Sequence, residues 1–215
     1  MKIGYLFSVP LVEFRMDNHE GLCEQLTTLF LQKAEQDDGV RNEIRRDTQH
    51  GELFESKFDL FHWQDEPVKE LAKFCHRALA STIFELSDYS EDEFSKLVFD
   101  YHAWFHVTKN GGFQALHHHQ NASWSGIFCV DPGDSPQEFP YSGAVRFYDA
   151  RGFADQYRDA GNNRLKLPAK FGGYQIDHEA GRLLIFPSYV DHEIFPYMGQ
   201  RERIVVAFNC MVRDG

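Results

Sequence analysis

Cysteine is scarce in this chain of 215 residues: four, at positions 23, 75, 129 and 210, with no Cys-x-x-Cys pair. That excludes a thiolate zinc site of the ribbon kind and a disulfide framework. Cys23 and Cys75 fall on apolar helical stripes, and Cys129 and Cys210 in apolar strand-like runs, so free buried thiols in a reducing cytoplasm are expected. Basic residues are in deficit, 22 Lys and Arg against 33 Asp and Glu, for a net charge of −11. A nucleic-acid backbone would select a basic face, so no nucleic-acid partner is expected. Long hydrophobic runs are missing as well. None approaches the ~18–20 residues that span a bilayer, and the first ten residues hold too short an apolar stretch for a secretory signal. No membrane association is expected. Internal repeats and low-complexity tracts are likewise absent, which excludes a solenoid.

What remains is ordinary globular material, 42% hydrophobic and 26% charged, of a length suited to one domain. Two counts stand out, 20 phenylalanines and 11 histidines.

Up to about residue 95 the pattern is mixed and helical. Leu22, Leu26, Leu29, Phe30 and Ala34 recur at helical spacing after Asp17 and Asn18, which are candidate caps. A second helix starts near Pro67 with the stripe Val68, Leu71, Cys75, Ala78, Leu79 and Ile83. Ser90 to Glu93 reads as a capping box. From residue 96 the period falls to two. Leu97, Phe99, Tyr101, Ala103, Phe105 and Val107 alternate with a semi-polar set, His102, Trp104 and His106, that suits a pocket wall. Further strand-like runs cover 113–121, 125–130, 143–148, 174–177, 182–186, 192–196 and 203–211, separated mostly by turn residues. The expected fold is α+β, mainly β: a two-sheet jelly roll over 96–213, with residues 1–95 as a helical support outside the larger sheet, all in one domain, 1–215. The polar, Gly-rich interval 150–173 reads as a lid or a surface excursion.

His117-His118-His119 lies in one strand-like run, and alternation sends His117 and His119 to the same face. Alone, that is as consistent with a polar patch as with a metal site. His192 follows an apolar strand and a Pro187-marked turn, and Arg203 opens the last strand. The order His-x-His, long gap, His, short gap, Arg is that of a double-stranded β-helix with three metal ligands and one anion-binding arginine. Imidazoles suit iron and leave coordination positions open, while an arginine can clamp a carboxylate through paired charge-assisted bonds.

The stretch from His117 to Gly126, the block 143–151, Phe186-Pro187-Ser188 with His192, and 203–209 together resemble the 2-oxoglutarate-Fe(II) oxygenase family of bacteria and phages. Residues 7–11 and the helix after Asn18 also resemble the way that family begins. The resemblance implies an enzyme that oxidises a substrate C–H bond with Fe(II) as metal and 2-oxoglutarate as cosubstrate. It implies that His117, His119 and His192 hold the metal and that Arg203, with Asn209, binds 2-oxoglutarate. Two positions depart from the family pattern: Gln120 stands where proline is common, and Val205 where a serine often follows the arginine. The usual triad contains a carboxylate, so Asp149, and less favourably Asp191, are alternatives to His119. Trp104, His106, Trp124 and Arg151 are candidate pocket residues; core packing explains the tryptophans nearly as well, and Asp149 with Arg151 also reads as a structural pair. His178 reads as an exposed turn residue.

Two other readings stay open. Gly111 with His117-x-His119, and Gly181, Pro187 and His192, resemble the two cupin motifs, although the glutamate after His119 is missing and Tyr189 and Pro196 replace motif residues. A cupin-type dioxygenase or isomerase would need no 2-oxoglutarate. A non-catalytic jelly-roll binding protein is the third reading. The substrate is expected to be a small molecule or a protein side chain, and a homodimer through the N-terminal elements would be unsurprising.

Overall fold

The computed structural model describes residues 1–36, 39–154 and 156–215. In chain order it places β1 (Val12–Arg15), α1 (Glu20–Gln36), β2 (Gln49–His50), β3 (Leu53–Glu55), α2 (Glu66–Leu86), α3 (Glu91–Phe94), β4 (Leu97–Thr108), β5 (Phe113–His117), β6 (Trp124–Asp131), β7 (Val145–Phe147), β8 (Tyr174–Ile176), β9 (Arg182–Pro187), β10 (His192–Ile194) and β11 (Arg203–Asp214). The strands form two antiparallel sheets, a larger one ordered β1-β9-β6-β11-β4-β3 and a smaller one ordered β2-β5-β10-β7-β8. Together they make a double-stranded β-helix, mainly β, with the helices outside the larger sheet.

The two long helices form where the apolar spacing placed them. On α2 the buried residues are Val68, Leu71, Cys75, Ala78, Leu79, Thr82 and Ile83, and Pro67 sits in its first turn, where a missing N–H costs nothing. The Ser90–Glu93 capping box forms at α3. The start of α1 falls later than the Asp17-Asn18 pair: Cys23 N–H bonds to His19 C=O, so the first turn closes on His19.

Strand alternation then divides the core. Ala103, Phe105, Val107, Ile204, Val206 and Phe208 face the helices, whereas Ile127, Leu184, Phe186 and Val205 face the smaller sheet and meet Val145, Phe147 and Ile194 there. Most of the phenylalanine excess is spent on the helix–sheet layer rather than in the barrel. The Phe105 ring stacks on Phe30 at 4.2 Å between centroids and lies near Phe54 and Trp63. Phe105→Ala is expected to cost about 3–5 kcal/mol of stability, since close packing prevents collapse of the void; urea unfolding measures it.

The N-terminal region is less purely helical than its pattern. It gives β1 and β3 to the two edges of the larger sheet and β2 to an edge of the smaller one. These strands are two to four residues long, too short for a period of two to show. The run 113–121 stops being a strand at His117. All four cysteines are free and buried.

Candidate metal centre

The centre is built where β5 and β10 pair. His192 stands directly opposite His117 in that antiparallel ladder, and the two rings lie 4.3 Å apart. His119 arrives differently from the expected strand alternation. It lies two residues past the end of β5, and its N–H donates to the C=O of Ser188 at 2.9 Å. Ser188 is itself held, Oγ to Oγ at 2.8 Å, by Ser125, whose hydroxyl donates to Asn209 Oδ1. The turn after β9 is thus tied to β6 and β11, and it fixes the loop carrying His119. The ligand atoms of His117, His119 and His192 all lie within 4.8 Å of one another.

Hydrogen bonding sets the tautomers of two of the rings. His117 Nδ1 contacts Ala115 C=O at 2.7 Å, and His192 Nδ1 contacts Val190 C=O at 2.9 Å. A carbonyl can only accept, so each Nδ1 carries the proton and each Nε2 is left with its lone pair, the form a metal ion needs. Charge state agrees. Burial, reinforced by the neighbouring imidazoles, holds His192 far below the ordinary histidine value and takes His119 down to about 3. His117 is lowered too, chiefly by burial. Three neutral imidazoles converging on one point are a donor set suited to a divalent transition metal.

No carboxylate joins them among the described residues. Asp149 is committed elsewhere: its oxygens accept from Arg151 Nε at 2.9 Å and Nη2 at 2.8 Å, and from Gly172 N–H. Arg151 also donates to Lys170 C=O. The pair therefore ties the two ends of the 150–173 segment together. That segment helps line a separate cavity of about 310 Å³ with residues 7–11, behind the Phe147 and Phe186 rings that pack on His192. Asp191 points to the other side and accepts from His118 Nδ1 at 2.8 Å.

His117 and His119 open onto a cavity of about 420 Å³ bordered by Trp104, Gln114, Asn121, Asn209, Arg46 and Glu55. Trp104 is a wall residue, as expected. His106 lies buried behind it, its Nε2 3.1 Å from the Trp104 indole nitrogen and 2.9 Å from Glu55 Oε2. Trp124 does not line this cavity. It packs with the helix-side cluster, because odd-numbered residues of β6, such as Ser125 and Ile127, point inward. Asn209 borders the cavity, but it is six residues from Arg203 on one strand, about 20 Å. The two cannot grip the same carboxylate group.

Arg203 is buried, 2% exposed, and neither its Nε nor its Nη2 has a hydrogen-bond partner. Burial pushes its pKa down to about 10. A buried guanidinium is costly unless it is paired with an anion.

Two features were not recognised in the sequence. Glu55 is a buried carboxylate on the cavity wall, held by Asn42 Nδ2 and Gln49 Nε2 at 2.7 Å each and by His106. Burial works to raise its pKa, but His106, Asn42 and Arg46 bring it below the ordinary value. The three-residue β3 that carries it offered no pattern to find. His178 is no exposed turn residue: its Nε2 is buried and without a partner.

These sheets form a jelly roll with a histidine-lined cleft. The fold matches a Pseudomonas putida prolyl-4-hydroxylase (18% identity, TM-score 0.64, 95% of this chain and 93% of that one). It also matches a Trichoplax adhaerens prolyl hydroxylase solved with a hypoxia inducible factor peptide fragment (11%, 0.60, 94% and 83%). A third match is SnoK, a non-heme alpha ketoglutarate dependent carbocyclase from nogalamycin biosynthesis (10%, 0.61, 95% and 80%). No curated protein matches the sequence. A family model described as "Putative 2OG-Fe(II) oxygenase" matches residues 102–209, half of the chain. The chain belongs to that family, an enzyme family using Fe(II) and 2-oxoglutarate.

Proposed function

We propose that the protein is a 2-oxoglutarate-dependent non-haem Fe(II) dioxygenase that hydroxylates a C–H bond of a polar small molecule or a protein side chain. The observation that carries this is the pairing of two incomplete sites in one barrel: three neutral imidazoles converging on a shared point, and a buried guanidinium with unpaired donors. In this reading His117, His119 and His192 hold Fe(II), and Arg203 anchors the distal carboxylate of 2-oxoglutarate. When bound, Fe(II) and 2-oxoglutarate supply, with O₂, the oxidation of the C–H bond, releasing succinate and CO₂.

The chain's own part is positioning and enclosure. Ala115 and Val190 carbonyls keep two imidazoles in the ligating tautomer. The apolar wall of Phe147, Phe186, Val190 and Val205 keeps the barrel interior dry, which strengthens every charged contact inside it. Arg46, Gln114, Asn121 and Asn209 around the open cavity offer a substrate hydrogen-bonding groups rather than an apolar slot. With three neutral ligands the centre keeps the full charge of the metal, which favours an anionic chelator.

We read residues 1–215 as one functional unit, since β1 and β3 complete the sheet that carries Arg203. The buried free thiols suit a reducing cytoplasm, and no helix among the described residues is long and apolar enough to cross a membrane. The test is stoichiometric conversion of 2-oxoglutarate to succinate and CO₂ by the Fe(II)-loaded protein in the presence of O₂. Absence of Fe(II) uptake, or uptake without any 2-oxoglutarate binding, overturns the proposal.

A further inference from the structure

The geometry points to His178 as a second donor, beside Arg203, to the distal carboxylate of 2-oxoglutarate, in place of the hydroxyl that Val205 cannot supply. This rests on the reading of Arg203 as the cosubstrate anchor. Three observations converge. First, β7 and β8 pair with Val145 opposite Ile176, and continuing that register by two residues sets His178 opposite Gly143. Second, the inward place at Gly143 is already filled by Arg203: a Cβ built on this glycine would lie 2.9 Å from Arg203 Cδ and 3.1 Å from its Nε. Ile176 and Val145 both pack on the inner cluster that contains Val205, and the charge of Arg203 is among those acting on the His178 ring. Third, the buried side-chain atoms without partners include Arg203 Nε, Arg203 Nη2 and His178 Nε2.

Buried polar atoms are nearly always hydrogen-bonded, and an unpaired group in a native structure calls for a missing partner. Polar atoms of Arg203 and His178 left buried and unpartnered describe the surroundings of an anion. The imidazole is held neutral there, by burial first and then by the charges of Arg203 and Arg182. In its Nε2–H tautomer the neutral ring is a donor, which an anion accepts without a further proton. The chain thereby compensates for Val205, which is buried in the apolar cluster and offers no hydrogen bond.

The test compares two ligands on the Fe(II)-loaded protein under anaerobic conditions by calorimetric titration: 2-oxoglutarate, and 2-oxopentanoate, which keeps the keto-acid head and lacks the distal carboxylate. His178→Phe is expected to weaken 2-oxoglutarate about ten-fold, the loss of one hydrogen bond to a charged group, and to leave 2-oxopentanoate unchanged. His178→Gln, which keeps a donor, is expected to recover most of the affinity. An unchanged 2-oxoglutarate affinity in His178→Phe overturns the inference, and so does an equal loss for both ligands, which would mark a structural role. Arg203→Met run alongside separates the two levels: if it too binds 2-oxoglutarate like the wild type, the anchor reading itself fails.

Discussion

His192→Ala is expected to abolish retention of Fe(II) and, with it, turnover of 2-oxoglutarate. The residue is 2% exposed, wedged between the Phe147 and Phe186 rings, with Nδ1 bonded to Val190 C=O. Its imidazole is therefore held in one orientation and one tautomer before any metal arrives. Little ordering entropy is left to lose on ligation, so removing it sacrifices both a donor and the preorganisation of the set. Orienting partners alone are typically worth 10–100-fold in metal affinity, and a ligand is worth more. His117→Ala and His119→Ala should follow the same direction, whereas His118→Ala, exposed and facing Asp191, should retain metal. Metal content after anaerobic loading and gel filtration reads all four. Equal iron in His192→Ala and wild type would sink the ligand assignment.

Arg203→Met is expected to move stability and function in opposite directions. In the ligand-free protein the guanidinium is buried without partners at Nε and Nη2, and an uncompensated buried charge costs several kcal/mol in real proteins. Methionine fills similar space with no donors to satisfy, so the thermal midpoint of the ligand-free variant should be at or above that of the wild type. Binding of 2-oxoglutarate should fall by about 10²–10³, the range for removing one partner of a buried charge pair. The wild type should accordingly be stabilised by 2-oxoglutarate and the variant should not. Alkali gives a second check. The folded pKa of Arg203 is lowered to about 10, so the folded state binds this proton less tightly than the unfolded chain. The cost is fully present below that value and is relieved as pH rises through and beyond it. The stability gap between variant and wild type should then narrow above pH ~10. A ligand-free variant clearly less stable than the wild type would contradict the picture of an unpaired charge.

Much of this architecture was readable in the residue pattern, for identifiable reasons. The α2 stripe from Val68 to Ile83 matched its buried face because a 21-residue helix repeats its period several times. The 12-residue β4 likewise separated a helix-facing set from a cavity-facing set. His117, His119 and His192 could be singled out because motif order survives folding. Short or non-repeating features did not show. Strands β1, β2 and β3, two to four residues each, left no periodicity, and with β3 went Glu55. Trp124, for which the pattern leaves pocket wall and core packing both open, packs with the helix-side cluster, a choice that strand phase cannot make across the turn that precedes β6.

By itself, then, the sequence determined which segments are helix and which are long strands, since these depend on local period, and its motif order singled out His117, His119, His192 and Arg203 as candidates while leaving Asp149 open in place of His119. Only the tertiary structure decided what each group meets. It committed Asp149 to Arg151, turned Asn209 toward the histidine cavity some 20 Å along the strand from Arg203, and left the His178 Nε2 buried without a partner. The reason is physical: a donor's fate is set by which acceptors reach within about 3 Å of it, and those come from strands far apart in the chain, whose register no local pattern encodes.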